Sequence, residues 1–250
     1  MTGKTTIEWT TTYHEDGTAT KGKTWNPVTG CTEVSSGCDH CYARTFAERW
    51  RGTPDHPYEQ GFDLKLWPQR LTLPFAWKKP CKIFVNSMSD LFHKDIPDEY
   101  IARVFEVMNC AHWHTFQVLT KRPSRATLIA HKLNWSPNIW LGTSVESNEY
   151  IWRVDKIMQT PAAIKFISAE PLLGELTNLQ LSGIDWLIAG AESGHGARPM
   201  NEDWVRHLRD LCQEYHVAFF YKQAAKNGHK IPLPALDGKI WNEFPRSATL

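Results

Sequence analysis

The sequence predicts an α/β fold, a full or partial barrel of parallel strands with about seven β/α units. Three observations predict it. Short apolar, β-branched runs recur at Lys82–Val85, Phe116–Leu119, Ile139–Leu141, Ile164–Ile167, Trp186–Ala189 and Ala218–Tyr221. Amphipathic segments of helical period lie between several of them. The length, 250 residues, suits one barrel with a substantial core.

Taken in order, residues 1–24 read as a polar, Thr-rich N-terminal segment with a turn at Glu15–Gly17, and a first strand is placed near Trp25. The second strand, Lys82–Val85, precedes a helix whose face carries Ile101, Val104, Phe105 and Met108, started by Pro97 and Asp98. A weaker helix follows Pro123, with Leu128, Ile129 and Leu133 on one side. Tyr150, Ile151, Val154, Ile157 and Met158 repeat the pattern after the fourth strand. Trp204, Val205, Leu208, Leu211, Cys212 and Tyr215 repeat it before the seventh, behind Asn201, Glu202 and Asp203. The strand runs are mostly apolar, as parallel strands covered on both faces are. The barrel is assigned to residues 25–223, and residues 224–250 read as a C-terminal tail or lid.

Bulk properties narrow the function. A formal charge of +1 and a pI near 7.7 carry no polyanion-binding signature, so nucleic acid has no support from charge. Apolar runs such as Trp186–Ala189 are too short to cross a bilayer, and the polar start does not read as a signal peptide. A cytoplasmic address is expected, in which the six cysteines are reduced thiols or metal ligands. The twelve tryptophans are scattered, as core or pocket-lining side chains would be. Gly3-Lys4-Thr5 lacks the strand and upstream glycine of a phosphate loop.

Strand after strand ends in polar residues, which in parallel α/β folds face the functional end. These endings are Asn86–Asp90, Thr120–Pro123, Gly142–Glu146, Ser168–Pro171, Gly190–Arg198 and Lys222-Gln223. The loop after the first strand holds Cys31, Cys38 and Cys41, separated by six residues and then two. Cysteine is the soft ligand for zinc and for iron–sulfur clusters. Cys81, Cys110 and Cys212 stand apart and read as buried, inert thiols. One reading of the three is zinc: Cys38-x-x-Cys41 has knuckle spacing, and His40, His14 or His56 would complete four ligands. That reading makes the chain a zinc-stabilised, non-catalytic accessory binding protein of a phage or mobile element. The other is a [4Fe-4S] cluster held by three thiolates, its fourth iron left for a substrate or cofactor.

A three-cysteine loop after the first strand of a β/α barrel resembles the radical S-adenosylmethionine superfamily. The usual gaps there are three residues and then two, so the six-residue gap is a variant. The whole chain further resembles a phage-associated family of uncharacterised three-cysteine proteins. That likeness rests on Trp25–Cys31 with the two later cysteines, Phe84–Phe92, Leu119–Pro123, Ser168–Gly174 and Gly194–Pro199. The resemblance implies that Cys31, Cys38 and Cys41 hold the cluster and that S-adenosylmethionine binds its fourth iron. It implies reductive cleavage of S-adenosylmethionine to a 5′-deoxyadenosyl radical that abstracts hydrogen from a substrate. An external electron donor of flavodoxin or ferredoxin type is then the expected partner. Ser87, Met88, Ser89 and Asp90 map to the cofactor's amino group, Lys121 or Arg122 to its carboxylate, and Ser144 and Glu146 to its ribose. Glu170, Glu192, Arg198 and Lys222 remain for the substrate, with a nucleic-acid base or nucleotide suggested by fold-level analogy alone.

Overall fold

The computed structural model describes residues 3–13, 18–194, 196–226 and 229–245. His14, the turn expected at Glu15–Gly17, and His195 of the Gly194–Pro199 motif lie outside them. One nine-stranded sheet dominates: β1 (Gly3–Lys4), β2 (Lys23–Trp25), β3 (Lys82–Val85), β4 (Thr115–Thr120), β5 (Ile139–Ser144), β6 (Lys165–Ala169), β7 (Trp186–Gly190), β8 (Ala218–Lys226) and β9 (His229–Pro232). Its spatial order follows the chain, and β2 to β8 pair in parallel throughout. β1 and β9 add antiparallel to the two edges and do not pair with each other, so the sheet is an open, partial barrel.

Alternation along each strand separates two cores. One face of the sheet sends Ile83, Val85, Val118, Leu141, Ile167, Leu187 and Phe219 to the helices α2 (Asp98–Cys110), α3 (Pro123–Ile129), α4 (Trp152–Met158) and α5 (Glu202–Glu214). The sequence signals hold for α2 and α5, whereas Leu128 of α3, expected on the packed face, is exposed, and Tyr150 and Ile151 lie before the start of α4. Asp98 and Glu99 fill the first turn of α2, and the Asn201 side chain accepts the Asp203 amide at 3.0 Å to cap α5. No helix joins β6 to β7. Leu172, Leu176, Leu179 and Leu181 of that connection cover the sheet instead.

The concave face carries Phe84, Trp140, Phe166, Trp186, Ile188 and Phe220. Gly142 makes room there, since a Cβ would lie 2.3 Å from the Phe166 ring. The segment before Trp25 does more than lead into the barrel. Its single turn at Glu8–Thr10 inserts Trp9, 2% exposed, into the concave face, 4.7 Å from the Phe84 ring and 6.1 Å from Trp186. A tryptophan on a one-turn element has no periodicity to announce it, so the sequence reading missed this plug. At the other end, β8 runs past residue 223 and turns back as β9, so the tail from residue 224 begins as sheet.

The loop from β2 to β3 is the longest between parallel strands. It carries the cysteines, α1 (Tyr42–Glu48) and a short ladder pairing Val28–Thr29 with Lys65–Leu66. Cys81 and Cys212 are buried as expected, but Cys110 is exposed on the solvent side of α2. No helix is long and apolar enough to cross a membrane among the described residues.

Candidate active site

A cavity of about 780 Å³ opens where the parallel strands end. Trp9, Phe84 and Leu119 form its floor, and Cys38, Cys41 and Tyr42 from the cysteine loop and α1 form one wall. The strand register builds a further side: Ser144 lies level with Ser168, and both line the space. The expectation of one polar face shared by the strand ends is met.

The residues expected there divide into two groups. Ser87, Met88, Lys121, Ser144, Glu170, Glu192 and Lys222 line the cavity. Ser89, Asp90, Arg122, Glu146 and Arg198 do not line it. The Ser89 hydroxyl donates to the Val28 carbonyl at 3.0 Å. Asp90 accepts from the Thr120 hydroxyl and from the Phe92 and Lys121 amides at 2.8–3.0 Å, which ties the β3 turn to β4. Arg122 donates to the Thr32 carbonyl and hydroxyl at 2.9 and 2.8 Å and stands 3.9 Å from the Cys31 sulfur.

Glu146 is fully buried. Its carboxylate accepts from Ser35 Oγ at 2.8 Å, with Lys121 Nζ at 2.8 Å and Arg153 Nη1 at 2.9 Å. Burial alone would raise its affinity for a proton; Lys121 and Arg153 outweigh that and hold it below the usual carboxylate range. Glu192 follows the same logic at the end of β7. Burial is overcome by hydrogen bonds from the Arg198 side chain and backbone and from His40, which lower it to about 2. Glu170 lines the cavity with a single cation, Lys222 Nζ at 3.0 Å, and accepts weakly from Ser168 Oγ at 3.3 Å.

Other contributors carried no sequence signal. Asn26 accepts the Met88 amide at 3.0 Å and bonds Ser87 Oγ, fixing the turn after β3, where Asn86 has a φ of +58°. Lys230 on β9 lines the cavity and pairs with Glu8 at 2.7 Å. Arg153 did leave a trace: a cation in the middle of the apolar α4 pattern requires a buried anion.

The three thiols sit on one loop, with Cys31 and Cys41 packed beside Met88 and Phe62. Burial, then the neighbouring Asp90, pushes the Cys31 thiol up to about 11, so a metal must displace its proton on binding. Among the described residues, no three His, Cys, Asp or Glu side chains are gathered to hold a metal ion. Three free cysteines on one partly buried loop supply the soft donors that zinc and an iron–sulfur cluster alike take.

No curated protein matches the chain. Among solved structures, the chain is similar to a double mutant of spore photoproduct lyase with bound AdoMet and dinucleoside spore photoproduct. The identity is 11% and the TM-score 0.46, over 78% of this chain and 61% of that one, so the chain spans about three fifths of that protein's length. The family described as "Protein of unknown function (DUF5131)" matches residues 4–245, and the chain belongs to it.

Proposed function

We propose that this protein is a radical S-adenosylmethionine enzyme whose [4Fe-4S] cluster is held by Cys31, Cys38 and Cys41. The observation that supports the reading is a loop with three free thiols, two of which, Cys38 and Cys41, line a cavity ringed by parallel strand ends. Bound there, the cluster and S-adenosylmethionine supply reductive sulfonium cleavage and, from it, hydrogen-atom abstraction.

The chain's own part is positioning and exclusion of water. The Trp9, Phe84 and Leu119 floor closes the barrel below the reacting groups. Ser87 and Lys121, held by Asn26 and Glu146, offer fixed donors on the cysteine side of the cavity. Glu170 and Lys222 place an acceptor and a donor side by side at the far wall, which we assign to the substrate. Thr32, Glu33 and Val34 at the outer edge of the cysteine loop are exposed, leaving a short path for an external electron donor.

The test is formation of 5′-deoxyadenosine from S-adenosylmethionine by iron-loaded protein under a strong reductant without oxygen. Wild type forms it and Cys38→Ala does not; an iron-loaded wild type that forms none overturns the assignment.

A further inference from the structure

The second half of the six-residue gap between Cys31 and Cys38, Ser35 to Gly37, is gripped from two sides together with Asp39 and His40. On one side, Ser35 Oγ donates to Glu146 at 2.8 Å and the Ser36 amide donates to the Tyr150 hydroxyl at 3.2 Å. Gly37 packs so closely on Glu146 that a Cβ would lie 2.4 Å from its Oε1. On the other side, Arg198 donates to the Ser36 carbonyl at 2.9 Å and to Asp39 at 3.1 Å, and Glu192 bonds His40 at 2.9 Å. Both backbone groups of Ser36 are therefore satisfied by side chains more than a hundred residues away, so this peptide is fixed as a sheet would fix it.

The grips are themselves held. Arg153, 1% exposed, anchors Glu146 while donating to the Ser144 carbonyl at 2.9 Å, and its guanidinium lies 4.2 Å from the Tyr150 ring centre. Glu192 fixes Arg198 through its backbone amide as well as its guanidinium. The Glu146–Arg153 pair is out of water, and each of the two carboxylates is held by several charge-assisted bonds, which limits drift.

We propose that residues 32–37 are a docking segment, and that Glu146 and Arg198 are positioning residues that set the cysteine loop in shape before any metal binds. In small zinc domains the metal folds the loop. Here the protein does so, and the ordering cost is met on folding. The proposal rests on the reading above only in taking this loop as the metal-binding element.

The experiment needs no metal. Protein freed of metal by chelator and kept reduced is treated with iodoacetamide, and the alkylation rate at each cysteine is followed by mass spectrometry. Cys110, exposed on α2 and remote from the loop, is the internal reference. Glu146→Gln and Arg198→Gln should each raise the rates at Cys38 and Cys41 about tenfold relative to Cys110, as local opening of a pinned segment requires. Arg206→Ala, which breaks exposed ion pairs to Glu202, Asp203 and Asp237, should leave both rates unchanged. Where Glu146→Gln does not fold, Arg198→Gln decides. Rates within twofold of wild type in the folded variants, or an equal rise in Arg206→Ala, overturn the proposal. A zinc-binding, non-catalytic protein would give the same alkylation result, so the clamp and the enzyme assignment fail separately.

Discussion

Glu146 and Glu170 look alike in the sequence and differ in the fold. Each follows the end of a parallel strand, and each meets a lysine from another strand end, Lys121 at 2.8 Å and Lys222 at 3.0 Å. Glu146 also carries Arg153 and Ser35 and has no exposed surface; Glu170 has its one lysine, and 13% of its side chain is open to the cavity. Burial and the number of bonded partners separate them. Glu146, bonded by two cations and a hydroxyl, has no surface that a ligand could reach, whereas Glu170 shares one ammonium at a cavity wall and is open to it. The carboxylates of the mouth thus fall into two halves: Glu146 and Glu192 hold the cysteine loop, and Glu170 is left to the cavity.

The largest effect should separate these halves. Glu146→Ala leaves Arg153 buried without its anion and is expected to cost about 3–5 kcal/mol, read from denaturant unfolding. Because the folded-state carboxyl is held below its ordinary value of 4.5, its contribution is full above that pH and is lost as the pH falls below it. The gap between wild type and variant should therefore narrow in acid. A gap that is constant with pH would mean that packing, not charge, accounts for the loss. At the small end, Glu170→Gln keeps the shape beside a partly open lysine and should change stability by about 1 kcal/mol or less. On the proposed function its effect should appear in ligand binding. A stability loss as large as that of Glu146→Ala would erase the distinction between the two glutamates.

The same contrast shows what a sequence can carry. Continuous apolar runs such as Trp186–Ala189 mark strands buried on both faces, and helical periodicity marks α2 and α5, so the seven parallel strands were legible. Strand-end polarity located the functional face but could not sort its members. Asp90, Arg122, Glu146 and Arg198 turn back beneath the loops, and this depends on contacts across 30 to 160 positions. Trp9 was invisible as a plug because a three-residue turn has no period. The six-residue gap, an irregularity in the sequence, ends in Ser35, Ser36 and Gly37, the residues the two clamps hold.

The proposed function turns on what the three cysteines bind. Iron, sulfide and zinc should be counted in protein purified without oxygen, alongside Cys38→Ala. A three-cysteine cluster gives about four irons and four sulfides per wild-type chain, lost in the variant. One zinc per chain with no iron would contradict it.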